Sequence, residues 1–126
     1  MIKDFLIINC TGKKNIIAFR SNNKYFIERF QNNIKSNTYL VSNIFKFLAK
    51  KNVKMNEKVP VLVNLGPGSF SSIRIAVAVA KGIKIVFDSE LYGYKDSSLT
   101  DFTPKNIEKL IKKKLFDRKI KPIYLD

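Results

Sequence analysis

A chain of 126 residues suits one domain with one modest core. With 45% aliphatic and aromatic residues, it should fold and not remain disordered. The formal net charge of +14 attracts polyanions, but most of the 24 basic residues are lysines scattered from Lys3 to Lys121. Because sequence-specific nucleic-acid recognition favours arginine, this composition argues against specific readout and leaves only a weak attraction to RNA.

The cysteine count and the hydropathy pattern indicate the cellular compartment of such a chain. Cys10 is the single cysteine, so no internal disulfide can form, which is typical of a reducing cytoplasm. No apolar run is long enough to span a membrane. The start "MIKDFLIINC" places Asp4 before a short apolar run without a cleavage site, which favours a first strand over a signal peptide. We expect a cytoplasmic protein with Cys10 in its core.

Runs of β-branched residues, capping residues and turn residues predict eight elements and an extended tail. In chain order these are strands over 5–9, 15–20 and 24–30, a loop over 31–37, a helix over 38–51 capped by Thr38, a strand over 59–65, a helix over 70–88, a strand over 90–94, a helix from Pro104 to about residue 116, and a tail over 120–126.

The order β-β-β-α-β-α-β-α begins as an antiparallel meander and continues with parallel crossovers. It predicts an α/β fold in which one mixed five-stranded sheet carries helices on its faces. This order resembles the ribonuclease-H-like lobe of the actin/sugar-kinase superfamily.

The helix predicted over 70–88 is apolar over most of its circumference. At about 100° per residue, its charged residues form one stripe roughly 80° wide, namely Arg74, Lys81, Lys84 and Asp88. One sheet contact needs an apolar face of only about 100–140°. The surplus must therefore meet a second surface.

Small residues and a second wide helix extend this argument. Ser72, Ala76 and Ala80 lie four apart, which would let another helix come close. The helix over 38–51 also has an apolar face roughly 160° wide. We predict that both helices pair with two partner helices as a four-helix bundle, through Leu40, Ile44, Phe47, Ser72, Ala76, Val79, Ala80 and Ile83. The alternative, that the two helices only cover each other on one sheet face, stays open.

The turn "GPGSFSS" before this helix is interpreted as structural. Gly66 and Gly68 permit backbone angles closed to other residues, and Pro67 stiffens the bend between them. Ser69 or Ser71 can cap the helix. A phosphate-binding loop would need a lysine and a later glycine that this turn lacks.

The stretch "GPGSFSSIRIAVAVAKG" resembles the signature of the TsaB (YeaZ) family, of the form GPGSFTGxRIGxxxAKG. The matching residues are Gly66, Pro67, Gly68, Ser69, Phe70, Arg74, Ile75, Ala80, Lys81 and Gly82. Ser71, Ser72 and Ala76 depart from it but remain small. With "YGYKDSSL" and the preceding order of elements, the resemblance covers residues 1–99.

The resemblance implies a function. TsaB works with TsaD and TsaE to place a threonylcarbamoyl group on the tRNA adenosine beside the anticodon. TsaB-like proteins are the noncatalytic member and bind TsaD through helices of the first lobe. We therefore expect a scaffold that binds TsaD through helices 38–51 and 70–88 and forms a homodimer in isolation. Whether it contacts TsaE stays open, and tRNA contact is expected to be indirect or weak.

The family normally carries a second lobe of similar size. The tail "KPIYLD" resembles the family's closing P-x-Y-L-R, with Asp126 in place of arginine. We therefore expect residues 1–126 to form one lobe, with residues 100–126 as a final helix and tail rejoined to it after loss of the second lobe.

Catalysis is not expected. Asn9 stands where the superfamily carries an acidic residue, and without histidine the metal-binding motif of TsaD is missing. We predict no catalytic residue, metal or cofactor. The alternative function is a basic tRNA-contacting module without enzymatic activity, formed by Lys109, Lys112, Lys113, Lys114, Arg118, Lys119 and Lys121.

Overall fold

The computed structural model describes residues 3–30 and 36–125. Its main strands are β1 (Phe5–Cys10), β2 (Asn15–Ser21), β3 (Lys24–Phe30), β4 (Val61–Asn64) and, after the short β5 (Gly68–Ser69), β6 (Leu91–Tyr94). The helices are α1 (Asn37–Lys50), α2 (Phe70–Phe87) and α3 (Pro104–Lys112), and a final short strand is β7 (Tyr124–Leu125).

The five long strands form one mixed sheet in the order β3-β2-β1-β4-β6. β1 pairs antiparallel with β2, and β2 with β3, whereas β1 pairs parallel with β4, and β4 with β6. The predicted α/β fold with a mixed five-stranded sheet is confirmed.

Side chains of β1 alternate between two apolar cores, one on each face of the sheet. Leu6, Ile8 and Cys10 belong to the larger core, which α1 and α2 cover. Phe5 and Ile7 belong to the smaller core, to which α3 contributes. Because both faces are covered, all six residues of β1 are buried.

The helix ends differ from the prediction in two places. Ser36, not Thr38, caps α1, because its Oγ accepts a hydrogen bond from the Tyr39 amide at 3.1 Å. The predicted loop over 31–37 lies largely outside the described residues. α3 ends at Lys112, because Lys114 adopts a left-handed φ of 52° and the Leu115 amide turns back to the Leu110 carbonyl at 3.0 Å.

This early end frees the following residues to run along the β6 edge. Asp117 exchanges two backbone hydrogen bonds with Gly93, at 2.7 and 2.9 Å. The Ile123 amide then donates to the Leu65 carbonyl at 2.7 Å, and β7 pairs parallel with β5. The tail is extended as predicted, but the small β5–β7 sheet was not predicted. Among the described residues, no helix is long and apolar enough to cross a membrane.

The predicted core position of Cys10 is confirmed, since its side chain is fully buried. Burial raises the pKa of the Cys10 thiol from 9.0 to about 12. Above pH 9 the unfolded chain therefore releases this proton before the folded chain does. The free energy of unfolding should therefore fall between pH 9 and 12, by up to about 1.4 kcal/mol per pH unit from this thiol, whereas at neutral pH the thiol causes no loss.

This linkage can be tested with Cys10→Ala. Urea unfolding at several pH values from 8 upward should show a shallower loss of unfolding free energy for Cys10→Ala than for the natural chain, although the variant starts less stable because it leaves a cavity. Identical pH slopes for the two chains would show that the thiol does not couple folding to protons.

Candidate interaction surface

The eight residues predicted to form a partner surface are all buried within the single chain. Seven are core apolar residues, and the hydroxyl-bearing one is also nearly inaccessible; they are Leu40, Ile44, Phe47, Ala76, Val79, Ala80, Ile83 and Ser72. The assignment of these side chains to a partner-facing surface is therefore corrected. α1 and α2 pack against each other, and α2 packs on β1 and β4, so the small residues of α2 serve contacts inside the chain.

The charged stripe of α2 lies where the sequence placed it. Arg74, Lys81, Lys84 and Asp88 are all exposed. Since a charged stripe marks the solvent side of a helix, the residues that flank it decide whether α2 carries more apolar surface than its own chain covers.

Apolar and small residues flank one side of that stripe and remain uncovered. At about 100° per residue they form a band roughly 100° wide, which we call the α2 stripe: Ile75, Ala78, Gly82, Ile85 and Val86. Ile85 is 78% exposed and Val86 is 75% exposed, whereas Ile75 is half-buried. The surplus apolar surface predicted for this helix thus exists, but on other residues.

The side chains at the centre of the α2 stripe are small, so its surface is recessed there. Ala78 and Gly82 are four residues apart and exposed, and a methyl group added to Gly82 would have no atom within 4 Å. The larger side chains of Ile75, Ile85 and Val86 border this shallow channel. Such a shape allows the backbone of a second helix to approach closely.

α1 adds apolar surface beside the end of α2. The rings of Phe45 and Phe87 stack with centroids 6.0 Å apart, which joins the two helices at this end. Val41 lies one turn before Phe45 and is 38% exposed. At about 100° per residue, Phe87 lies on the side of α2 that faces α1, well away from the α2 stripe. Val41 is therefore a separate exposed apolar residue on α1.

The turn before α2 is held by contacts within the chain. The Gly66 amide donates to the Asn64 side-chain oxygen at 2.7 Å, and Ser69 caps α2 by accepting from the Ser72 amide at 3.2 Å. A side chain on Gly68 would meet Thr11 at 3.0 Å, and Pro67 is exposed. These contacts support the structural interpretation of the turn.

Two further signature residues lie on the first turns of α2. The Arg74 guanidinium sits 5.5 Å from the centre of the Phe70 ring. This half-exposed ring also makes an edge contact with Tyr124, at a centroid distance of 4.8 Å. Phe70 thereby ties the signature to the tail.

A buried polar network closes the carboxyl ends of the parallel strands. Asn64 Nδ2 donates to Asn9 Oδ1 at 2.5 Å and to Asp96 Oδ1 at 3.0 Å. The Tyr94 hydroxyl also donates to Asn9 Oδ1, at 2.9 Å, and burial raises the pKa of Tyr94 well above its usual value. Asn9 therefore acts as an acceptor that joins three strands.

The basic residues proposed as an alternative RNA surface divide into three groups. Lys109, Lys112 and Lys113 are exposed on and just after α3, and Arg118 pairs with Glu90 at 3.3 Å. The other three face a groove beside β6, namely Lys114, Lys119 and Lys121.

Known proteins similar to this chain were found by sequence and by structure, whereas no family model matches. The chain is 40% identical over 70 residues to the tRNA threonylcarbamoyladenosine biosynthesis protein TsaB of Buchnera aphidicola subsp. Baizongia pistaciae. The matched stretch covers 56% of this chain and 31% of that protein. The resemblance to the TsaB family is confirmed. The chain spans about a third of the length of this curated TsaB.

Solved YeaZ structures share the fold of this chain. YeaZ from Pseudomonas aeruginosa superposes with a TM-score of 0.69 at 16% identity, over 76% of this chain and 45% of that one. A second Pseudomonas aeruginosa structure, described as an uncharacterized protein similar to peptidase YeaZ, gives the same TM-score and identity over 44% of its length. At this identity the likeness concerns the fold alone.

The residues that sequence reasoning missed are those of the α2 stripe. The row at Ser72, Ala76 and Ala80 was chosen because it is small, but all three residues are buried within the chain. Ala78 and Gly82 also form a small row, adjacent to Lys81 and Arg74. No sequence signal separates the two rows, because at about 100° per residue Ala80 lies as close to Lys84 as Ala78 lies to Arg74.

Proposed function

We propose that this chain is a noncatalytic subunit that binds a TsaD protein through the α2 stripe and supports threonylcarbamoyl modification of tRNA adenosine. The observation that carries the proposal is an uncovered apolar band on the helix that bears the TsaB signature. The curated TsaB relative is named for threonylcarbamoyladenosine biosynthesis, which supplies the pathway.

The shape of the α2 stripe favours a helix as the contacting element. Its low centre at Ala78 and Gly82 accepts a backbone, and its borders Ile85 and Val86 offer side chains that a partner can bury. On α1, the exposed Val41 offers a second, smaller apolar contact on the other helix. Two helices of TsaD packing here would form a four-helix bundle, and a second copy of this chain would occupy the same surface when TsaD is absent.

A scaffold role agrees with the polar network at the strand ends. Asn9 takes the place of the acidic residue of the superfamily, and its side-chain oxygen is engaged by Asn64 and Tyr94. This amide supports the fold instead of binding a metal-nucleotide complex. The proposal includes no contact with TsaE.

Gly82→Arg tests the proposal without endangering the fold. Gly82 is exposed on a helix interior, with open space around it. Arginine is a good helix former, whereas glycine is about 0.8–1 kcal/mol less favourable than alanine in a helix. The variant should therefore fold at least as well as the natural chain while placing a long charged side chain in the middle of the stripe. We expect it to lose TsaD binding by about a hundredfold or more.

The measurement is co-purification of TsaD from the same organism with the tagged chain after co-expression. Thr100→Arg is the matched control, since it adds the same charge at an exposed loop residue away from the stripe. The proposal requires TsaD to be captured by the natural chain and by Thr100→Arg but not by Gly82→Arg. Equal capture by all three, or by none, would refute it.

A further inference from the structure

A groove lies between the β6 edge and the tail, on residues that the proposed function does not use. It has a volume of about 420 Å³, within the range of ligand sites, about 300–1,000 Å³. Its apolar lining includes Leu65, Leu115, Phe116 and Ile123. We call it the tail groove.

The walls of the tail groove are fixed by backbone pairing. The Gly93 amide donates to Asp117 at 2.7 Å, and the Asp117 amide donates back at 2.9 Å. On the other side, the Ile123 amide donates to Leu65 at 2.7 Å. The groove is therefore formed in the folded chain before any ligand arrives.

The rim of the tail groove is strongly positive. Four exposed lysines line it, with Asp117 as the single carboxylate, and that carboxylate accepts from the Lys119 amide at 3.3 Å; the lysines are Lys95, Lys114, Lys119 and Lys121. Within residues 3–30 and 36–125, the ion pairs join Arg20 to Glu108 and Arg118 to Glu90, so none engages these lysines. Their charge is available to an anion.

We propose that the tail groove binds one unpaired nucleotide of an RNA strand. A ligand for this site needs a flat apolar body and several negative charges close to it. A nucleotide within a strand has both, because its base can lie against Leu115, Phe116 and Ile123 while the flanking phosphates meet the lysines. An acidic peptide supplies the charge without the flat body.

This inference deepens the proposed function by giving the scaffold a direct contact with the RNA to be modified, and its biological meaning rests on that function. The contact itself can be measured on this chain alone. A failure here would leave TsaD binding untouched, and a failure of TsaD binding would leave this contact untouched.

The experiment is fluorescence anisotropy with a labelled oligouridylate about twelve nucleotides long. The groove variant carries Lys95→Gln, Lys119→Gln and Lys121→Gln, and the control carries Lys109→Gln, Lys112→Gln and Lys113→Gln on and after α3. Both lose three positive charges at exposed positions, so general attraction falls equally. We expect the groove variant to bind about tenfold more weakly than the control, with a shallower salt dependence.

Two further arms identify what the groove recognises. Ile123→Ser changes no charge, and it should weaken oligouridylate binding several-fold because it removes apolar lining. Uridine monophosphate should compete poorly, since it lacks the flanking phosphates of a strand. Equal losses in the two lysine variants, full binding by Ile123→Ser, or competition by uridine monophosphate as strong as that of oligouridylate would overturn the proposal.

Discussion

Replacing Ala76 with arginine should unfold the chain, and any loss of partner binding would follow from that. If Ala76 lay on a partner-facing surface, as expected from the sequence, the variant would instead fold normally but no longer associate. The difference arises because Ala76 is fully buried in the core between α1, α2 and the sheet. Burying a guanidinium without a partner, in a site with no room for it, should cost more than about 4 kcal/mol, against about 5–15 kcal/mol for a whole domain.

Ala78→Arg is the matched control for this prediction. Ala78 lies two residues further along the same helix and is exposed, so the same substitution there should keep the fold and interfere only with binding. Far-ultraviolet circular dichroism and urea unfolding of the two variants provide the measurement. A folded Ala76→Arg protein with the natural urea midpoint would mean that Ala76 faces outward after all.

Gly66→Ala should have the second largest effect. Gly66 has a φ of +97°, and a methyl group on it would lie 2.3 Å from the Ile123 carbonyl oxygen and 2.9 Å from the Gly68 amide nitrogen. Both neighbours are backbone atoms, so neither can turn aside as a side chain would. We expect a loss of about 2–4 kcal/mol and release of the tail from its contact with Leu65.

Gly82→Ala controls for the chemical change. It adds the same methyl group in an exposed helix interior with no atom within 4 Å, and it should stabilise the chain by about 0.5–1 kcal/mol. Urea unfolding should therefore move the two midpoints in opposite directions. A Gly66→Ala midpoint equal to that of the natural chain would contradict the assigned contact between the turn and the tail.

The fold was largely predictable because it depends on local patterns. The apolar run that became β1 and the signature turn at Gly66 each point to one structure, and the crossover rules arrange them into a sheet. The end of α3 was not predictable, because it depends on Lys114 adopting a left-handed backbone that lysine rarely adopts. The pairing of Asp117 with Gly93 is similarly a long-range contact without a sequence pattern of its own.

The interaction surface was predictable in kind and not in detail. The excess of apolar residues on α2 follows from counting around the helix. Which side of the excess faces α1 depends on how the two helices pack, and the small residues Ala76 and Ala80 are used there. The uncovered side, with Gly82 and Ile85, becomes identifiable only once that packing is known.

The most direct test of the account is the chemical reactivity of a thiol placed on the α2 stripe. Ile85→Cys offers an exposed site, and Cys10 should stay silent because it is buried with a raised pKa. The rate of alkylation at position 85 should fall several-fold when TsaD is added, whereas the rate for Thr100→Cys should not change. An unchanged rate at position 85 in a chain that holds TsaD would show that the partner binds elsewhere.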